Sequence, residues 1–235
     1  MNGFKSQQHR WTKGSIQVCK KVLPAIWKSK VPLFIKMEAT AHLTSNFAYL
    51  LLICLCFLIY PSQKSQPAFG EMTYYLVNVP IFFFSSVSVI MFYMVSQKAL
   101  RPGSWWKEIP YLPLLLALGI GMSISNAKAV IEALLNHQTA FVRTPKYGIG
   151  QVKRQDWKKS SYKAMKTLTP FVELLFGFFF LFVVFEAASN SNWSSAILLL
   201  PVPVGFFYTS LASLARMLPS GSAAPAPKVV NRKAP

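Results

Sequence analysis

The apolar residues of this chain come in unbroken blocks, and that one feature removes most folds from consideration. Four blocks, 43–60, 73–95, 168–187 and 193–214, meet the length of roughly 17–25 residues needed to cross a hydrocarbon layer. They lack the amphipathic spacing of elements that keep one face in water. Backbone buried in hydrocarbon must satisfy its own hydrogen bonds, so each block is expected to be a helix.

A fifth apolar block, Tyr111 to about Ser125, is ambiguous. As a helix it reaches only about 22 Å against a core of about 30 Å, and it runs through Gly119 and Gly121 into Asn126, Lys128 and Glu132. Charge bears on its placement, because Lys and Arg accumulate in cytoplasmic loops. Eight basic residues (Lys5, Arg10, Lys13, Lys20, Lys21, Lys28, Lys30 and Lys36) precede the first block, whereas the next loop carries Lys64 alone. The segment from 136 to 167 holds eight more, and the turn from 188 to 192 none. Keeping both basic segments on one side requires an even number of crossings between them. The expectation is four spans, with 111–125 interfacial or re-entrant and Asn126 and Lys128 facing water. Five spans, with one basic loop outside, is the alternative.

The formal charge of +18 would suggest nucleic acid in a soluble protein. Here the basic residues flank the apolar blocks instead of forming one groove, and the aromatics lie within those blocks. Anionic lipid and substrate phosphate are the expected partners, and no nucleic acid; Lys153, Arg154, Lys158 and Lys159 read as a lipid-facing run. Cys19, Cys54 and Cys56 show neither metal spacing nor an even disulfide set. His9, His42 and His137 are scattered without ligand spacing.

Before the first block, Ile16, Cys19, Leu23, Ile26 and Trp27 share one face of a helical period, with Gln17, Lys21 and Lys28 on the other. Such a strip suits a membrane surface, and Pro24 and Pro32 are expected to break it into short pieces. The end of the chain, rich in Pro, Ala and Ser, is expected to be disordered.

Two motifs carry functional information. Gln7-Gln8-His9-Arg10-Trp11 is a Q-x-x-R-W signature, and Phe141-Val142-Arg143-Thr144-Pro145-Lys146-Tyr147-Gly148 lies in the second basic segment. The first resembles the Q-x-x-R-W motif of processive, membrane-embedded family-2 glycosyltransferases, the cellulose-synthase-like enzymes. The second resembles their F-x-V-T-x-K-G gating loop. In that family the loop follows a pair of spans after Q-x-x-R-W and precedes another pair, and the same order holds here. Trp105-Trp106-Lys107-Glu108-Ile109 is similar to the stretch entering the family's interfacial helix, and the resemblance extends over roughly residues 5 to 215. Arg143 stands where the loop motif has Val, and Tyr147 separates Lys146 from Gly148, which brings the chain nearer to mannan- and glucan-synthase-like relatives.

The resemblance implies that Gln7, Arg10 and Trp11 line an acceptor site beside the donor pocket. Side-chain chemistry agrees: an indole offers a flat apolar face to a sugar ring, a guanidinium suits a diphosphate, and a carboxamide both donates to and accepts from hydroxyls. It implies too that the loop closes over the nucleotide diphosphate, with Phe141 as anchor and Arg143, Thr144 and Lys146 meeting phosphate oxygens. The nucleotide-sugar donor and the growing glycan are the partners this implies.

The chemistry of transfer has no residues here. An inverting sugar transferase needs a D-x-D for a divalent metal, Mg or Mn, and a further carboxylate as general base. Asp156 is the single aspartate and sits among lysines, and none of Glu38, Glu71, Glu108, Glu132, Glu173 and Glu186 is paired with another acid at motif spacing. No catalytic residue and no cofactor are expected of this chain alone. It reads as the carboxy-terminal membrane portion of such an enzyme, completed by a separately encoded domain or surviving as a scaffold or docking protein. The expected fold is an all-α membrane protein with about four transmembrane helices, amphipathic interfacial helices and a cytoplasmic gating loop. Its segments are 1–42, interfacial with the first motif; 43–95, the first helix pair; 96–167, the interfacial or re-entrant helix and gating loop; 168–214, the second pair; and 215–235, a basic tail. Charge places it in an inner or plasma membrane with both motifs and both termini cytoplasmic.

Overall fold

The computed structural model describes residues 1–69, 87–138, 168–215 and Met217. The described residues form helices α1 (Asn2–Lys28), α2 (Leu33–Thr44), α3 (Ala48–Phe69), α4 (Val87–Leu100), α5 (Leu112–Gly121), α6 (Ser123–Leu134), α7 (Thr169–Ser189), α8 (Trp193–Leu199) and α9 (Pro201–Leu214). Tighter 3-10 turns at Ser45–Phe47 and Trp105–Tyr111 precede α3 and α5, and no strand occurs among the described residues. The fold is all-α, as the apolar blocks predict.

Three helical stretches are long and apolar enough to cross a membrane: Leu33–Pro61, Thr169–Ser189 and Ser195–Leu214. A fourth counts if Trp105–Gly121 and Ser123–Leu134, bent by 40° at their junction, form one span. The first stretch is longer than the expected block 43–60, because α2 runs into α3 through the 3-10 turn. At about 1.5 Å per residue its 29 residues exceed the thickness of a bilayer core, leaving the end with Lys36, Glu38 and His42 room to project beyond it. Of block 73–95 only the part within α4 is described. Large apolar side chains such as Leu51, Phe57, Leu58, Leu175, Phe182 and Phe185 stand outward on α3 and α7. Water disfavours such a belt, and hydrocarbon accommodates it.

The core lies where α3, α7 and α9 meet. Phe180 and Phe206 are fully buried and stack with ring centroids 6.2 Å apart, and Cys56, Val183 and Val202 pack around them. Ile120 and Ile124, either side of the α5–α6 junction, close this cluster. Helix α5 packs along α9, so the block 111–125 belongs to the bundle and does not lie flat on its surface. The approach is made by glycine: a β-carbon on Gly205 would lie 2.0 Å from the Ala117 carbonyl oxygen, and one on Gly121 would lie 2.2 Å from that of Gly205. Small residues let helix backbones touch where lipid offers no hydrophobic drive to association.

Helix ends follow local chemistry. After α6, Asn136 takes a positive φ of 55°, the amide of His137 donates to Glu132 O at 2.8 Å and that of Asn136 to Ala133 O at 3.3 Å. After α7, Ser191 does the same at φ 61°, and Asn192 then caps α8 by accepting from the Ser195 amide at 3.2 Å. These are paired carbonyl-satisfying C-terminal turns, and the second makes the tight, uncharged reversal expected at 188–192.

Two expectations about the first segment are corrected. Pro24 does not break α1, which continues to Lys28. A proline near a helix end forfeits one hydrogen bond, and the tertiary contacts of α1 outweigh that loss. The chain does turn before Pro32, where Lys36 Nζ donates to Trp27 O at 3.0 Å and Trp27 Nε1 to Thr40 Oγ1 at 2.9 Å. The strip containing Ile16 and Cys19 is not turned to a membrane surface at those residues, which are buried. Ile16 packs on Val130 and Ala133 of α6, with Phe47 and Leu50 beside them.

Candidate functional site

Helix α1 has a buried face and an outward face, and they carry different chemistry. Lys5, Thr12, Lys13, Ile16 and Cys19 recur at helical spacing and are buried. At one end, the Lys5 ammonium pairs with Glu173 of α7 and donates to Thr209 O and to Ser213 Oγ of α9, both at 2.9 Å. Two turns on, Lys13 Nζ donates to Glu132 Oε2 of α6 at 3.0 Å. The same carboxylate has His9 Nε2 at 3.4 Å and Lys128 Nζ at 3.9 Å. Two turns further, Lys20 Nζ caps the C-terminus of α6, donating to Ala133 O at 3.2 Å, Leu134 O at 2.9 Å and Asn136 Oδ1 at 2.7 Å.

Burial is the first cause of the electrostatics. It pulls the Lys5 ammonium below the usual lysine range, against the opposing pull of Glu173. It also holds the His9 imidazole below its ordinary value, opposed by Glu132 and reinforced by Lys13, Lys128 and Arg10. The surroundings of His9 thus hold more positive charge than Glu132 neutralises.

Gln7, Arg10 and Trp11 stand on the flank of α1 turned from its buried face. Trp11 is 62% exposed, while Gln7 and Arg10 are half-buried on the flank turned from Lys5 and Thr12. Arg10 reaches Ser6 Oγ at 3.5 Å along its own helix. The structure therefore groups Gln7, Arg10 and Trp11 on one helix. Phe141, Arg143, Thr144 and Lys146 lie outside the described residues, as do the basic run 153–159 and nearly all of the tail.

Asn126 corrects a third expectation. It does not face water: its side chain is fully buried, and neither Oδ1 nor Nδ2 has a partner. The fully buried Ser123 Oγ is likewise without a partner. An orphaned buried polar group costs about 1–3 kcal/mol, so their retention calls for an explanation. Lys128 is 54% exposed at its side chain, as expected.

Sequence reasoning missed Lys5, Glu132 and Glu173 as partners. The first and last are 168 residues apart, and nothing local links them. Among the described residues no group of three or more His, Cys, Asp or Glu could hold a metal, so the divalent ion implied by the resemblance has no holder there. Compared with protein-family models, with curated proteins and with solved structures, the chain matches none. The functional reading rests on the motifs and on the helix geometry.

Proposed function

We propose that this chain is the carboxy-terminal channel and acceptor-site portion of a processive, membrane-embedded family-2 glycosyltransferase. Such an enzyme polymerises a nucleotide sugar into a β-linked polysaccharide and translocates it, and a catalytic domain with the metal-binding and base carboxylates completes this chain. The observation that carries the reading is the two-faced α1. Its buried lysines pin it to α6, α7 and α9, leaving Trp11 exposed with Gln7 and Arg10 beside it. In sequence Phe141 follows Leu134, the last residue of α6, by seven positions, with Arg143, Thr144 and Lys146 after it. Acceptor platform and lid would then issue from one clamped helix pair, which is what a site closing over a diphosphate requires.

In this reading Trp11 stacks on the terminal sugar, Arg10 and Lys146 neutralise diphosphate oxygens, and Gln7 orients hydroxyls. The two basic segments support a cytoplasmic side for the motifs, in an inner or plasma membrane and against anionic lipid. A second reading, a scaffold derived from such a synthase, is favoured by the use of carboxylates in structural pairs: Glu173 with Lys5, Glu132 with Lys13, and Glu108 with Arg101 at 2.9 Å.

Reconstitution separates the two. The full chain, co-expressed with a cytosolic family-2 catalytic domain and placed in proteoliposomes, is expected to support polymer formation from a nucleotide sugar. Trp11→Ala is expected to lower that synthesis at least about tenfold without changing thermal stability, since surface substitutions shift stability by about 0.5 kcal/mol or less. No polymer from any nucleotide sugar, or full synthesis by Trp11→Ala, overturns the proposal.

A further inference from the structure

The α5–α6 junction concentrates buried polar atoms that nothing satisfies. Gly121 ends α5, Met122 joins, and Ser123 opens α6 at a 40° bend. The fully buried Thr209 hydroxyl shares its one proton among Gly121 O at 3.0 Å and, in its own helix, Gly205 O at 3.1 Å and Phe206 O at 3.3 Å, and so sets α9 against the bend. The backbone carbonyl of the same Thr209 accepts from the Lys5 ammonium, which ties the clamp on α1 to the α9 residue that meets the bend. One turn into α6 is Asn126. At this junction Ser123 Oγ and both polar atoms of Asn126 are buried and unpartnered.

We infer that the α5–α6 junction is a buried binding site for neutral hydroxyl groups, supplied either by water or by a sugar unit. Charge complementarity selects the ligand. Asn126 Oδ1 requires a donor and Asn126 Nδ2 an acceptor, while Ser123 Oγ serves as either. A metal cation would leave Nδ2 unmet, and an anion would meet the Asn126 Oδ1 lone pairs. A hydroxyl both donates and accepts, and it brings no charge to a site whose unpartnered atoms, on Ser123 and Asn126, are neutral. The bend supplies the reason for the location: a helix broken at membrane depth is tolerated where it is buried in protein or lines a polar cavity. Only the sugar as a source of hydroxyls rests on the proposed glycosyltransferase role; the site itself does not.

The test uses thiolate chemistry, because a cysteine reacts as the thiolate, which forms where water reaches it. In the full chain with Cys19 and Cys54 replaced by alanine, Ser123→Cys and Asn126→Cys are introduced separately, with native Cys56 as an internal buried reference and Ala127→Cys as a neighbouring one. Cys56 and Ala127 are 2% and 5% exposed, and Cys56 packs in the apolar cluster of Phe180, Val183, Val202 and Phe206. Detergent-purified, monodisperse protein is treated with hydroxyethyl methanethiosulfonate and read by intact mass. Modification at 123 and 126 is expected to be at least tenfold faster than at 56 and 127. Slowing by millimolar gluco- or manno-oligosaccharide identifies the sugar as occupant, and labelling unaffected by it identifies water. Rates at 123 and 126 no higher than at 56 and 127 overturn the site. Ser123→Cys, nearly isosteric, keeps the test decisive if Asn126→Cys fails to fold. Labelling without polymer synthesis in proteoliposomes would sink the glycosyltransferase reading and leave this site standing.

Discussion

The ammonium of Lys5 and the carboxylate of Glu173 close an ion pair inside the bundle, joining the first helix of the chain to a span-capable helix 168 residues later. Both groups are shielded from water, with side chains 9% and 0% exposed. Removing one partner of such a pair strands the other charge, whereas removing both need not destabilise. Lys5→Met is therefore expected to destabilise by about 3–5 kcal/mol, and Lys5→Met with Glu173→Leu to recover most of that loss. Thermal unfolding of the two variants in one detergent checks this; a double variant no better than the single would show that the pair does not act as a unit.

Gly205 and Gly119 make a matched comparison. A methyl at 205 meets the Ala117 carbonyl, a backbone atom that cannot swing aside, whereas nothing lies within 4 Å of a methyl at 119. Gly205→Ala is expected to lose about 1–3 kcal/mol by forcing α5 and α9 apart. Gly119→Ala should gain roughly 0.5–1 kcal/mol from reduced backbone freedom in the unfolded chain. Equal melting temperatures for the two variants would contradict the close helix contact.

His9 gives the clamp a pH dependence with a definite sign. Its folded pKa is lowered below the ordinary 6.5, chiefly by burial, so as pH falls through that value the unfolded chain takes up the proton first. Stability is then complete above about pH 6.5 and declines as pH falls toward the folded value, at no more than about 1.4 kcal/mol per pH unit. Glu132 opposes the shift, while Lys13, Lys128 and Arg10 deepen it. Melting curves between pH 7.5 and 5 should slope for the native chain and flatten for His9→Gln; identical slopes would refute the assignment to His9.

The end of α6 rests on one left-handed residue and one lysine. Asn136 at φ 55° tolerates glycine, so Asn136→Gly is expected to change stability by less than about 0.5 kcal/mol. Asn136→Val should lose about 1–2 kcal/mol, because a branched side chain is strained there. Lys20→Met removes three donated bonds to the α6 terminus and should lose about 1 kcal/mol. Chemical denaturation in mild detergent resolves differences of this size.

The legibility of the site divides by range. Gln7, Arg10 and Trp11 were readable because they are neighbours in the chain. Asn126 was misread, because a polar residue at the end of an apolar block has the same local signature whether it faces water or the junction of two helices. The difference lies in α9, about eighty residues away, whose Gly205 and Thr209 draw the end of α5 into the bundle. Pro24 was misread for a related reason: propensity priced a break that the Lys13, Ile16 and Lys20 contacts to α6 override.

The sequence by itself determined the helical class, the apolar belt and the uncharged reversal between α7 and α8. Those depend on block length and on backbone hydrogen bonds closed within a segment, both local quantities. Tertiary structure alone decided which lysines of α1 are buried, which carboxylates receive them, and that the bent α5–α6 pair packs into the bundle with unpartnered polar atoms at its junction. Ion pairs and glycine-mediated contacts depend on positions that meet only after the chain has folded, and no spacing along the sequence encodes them.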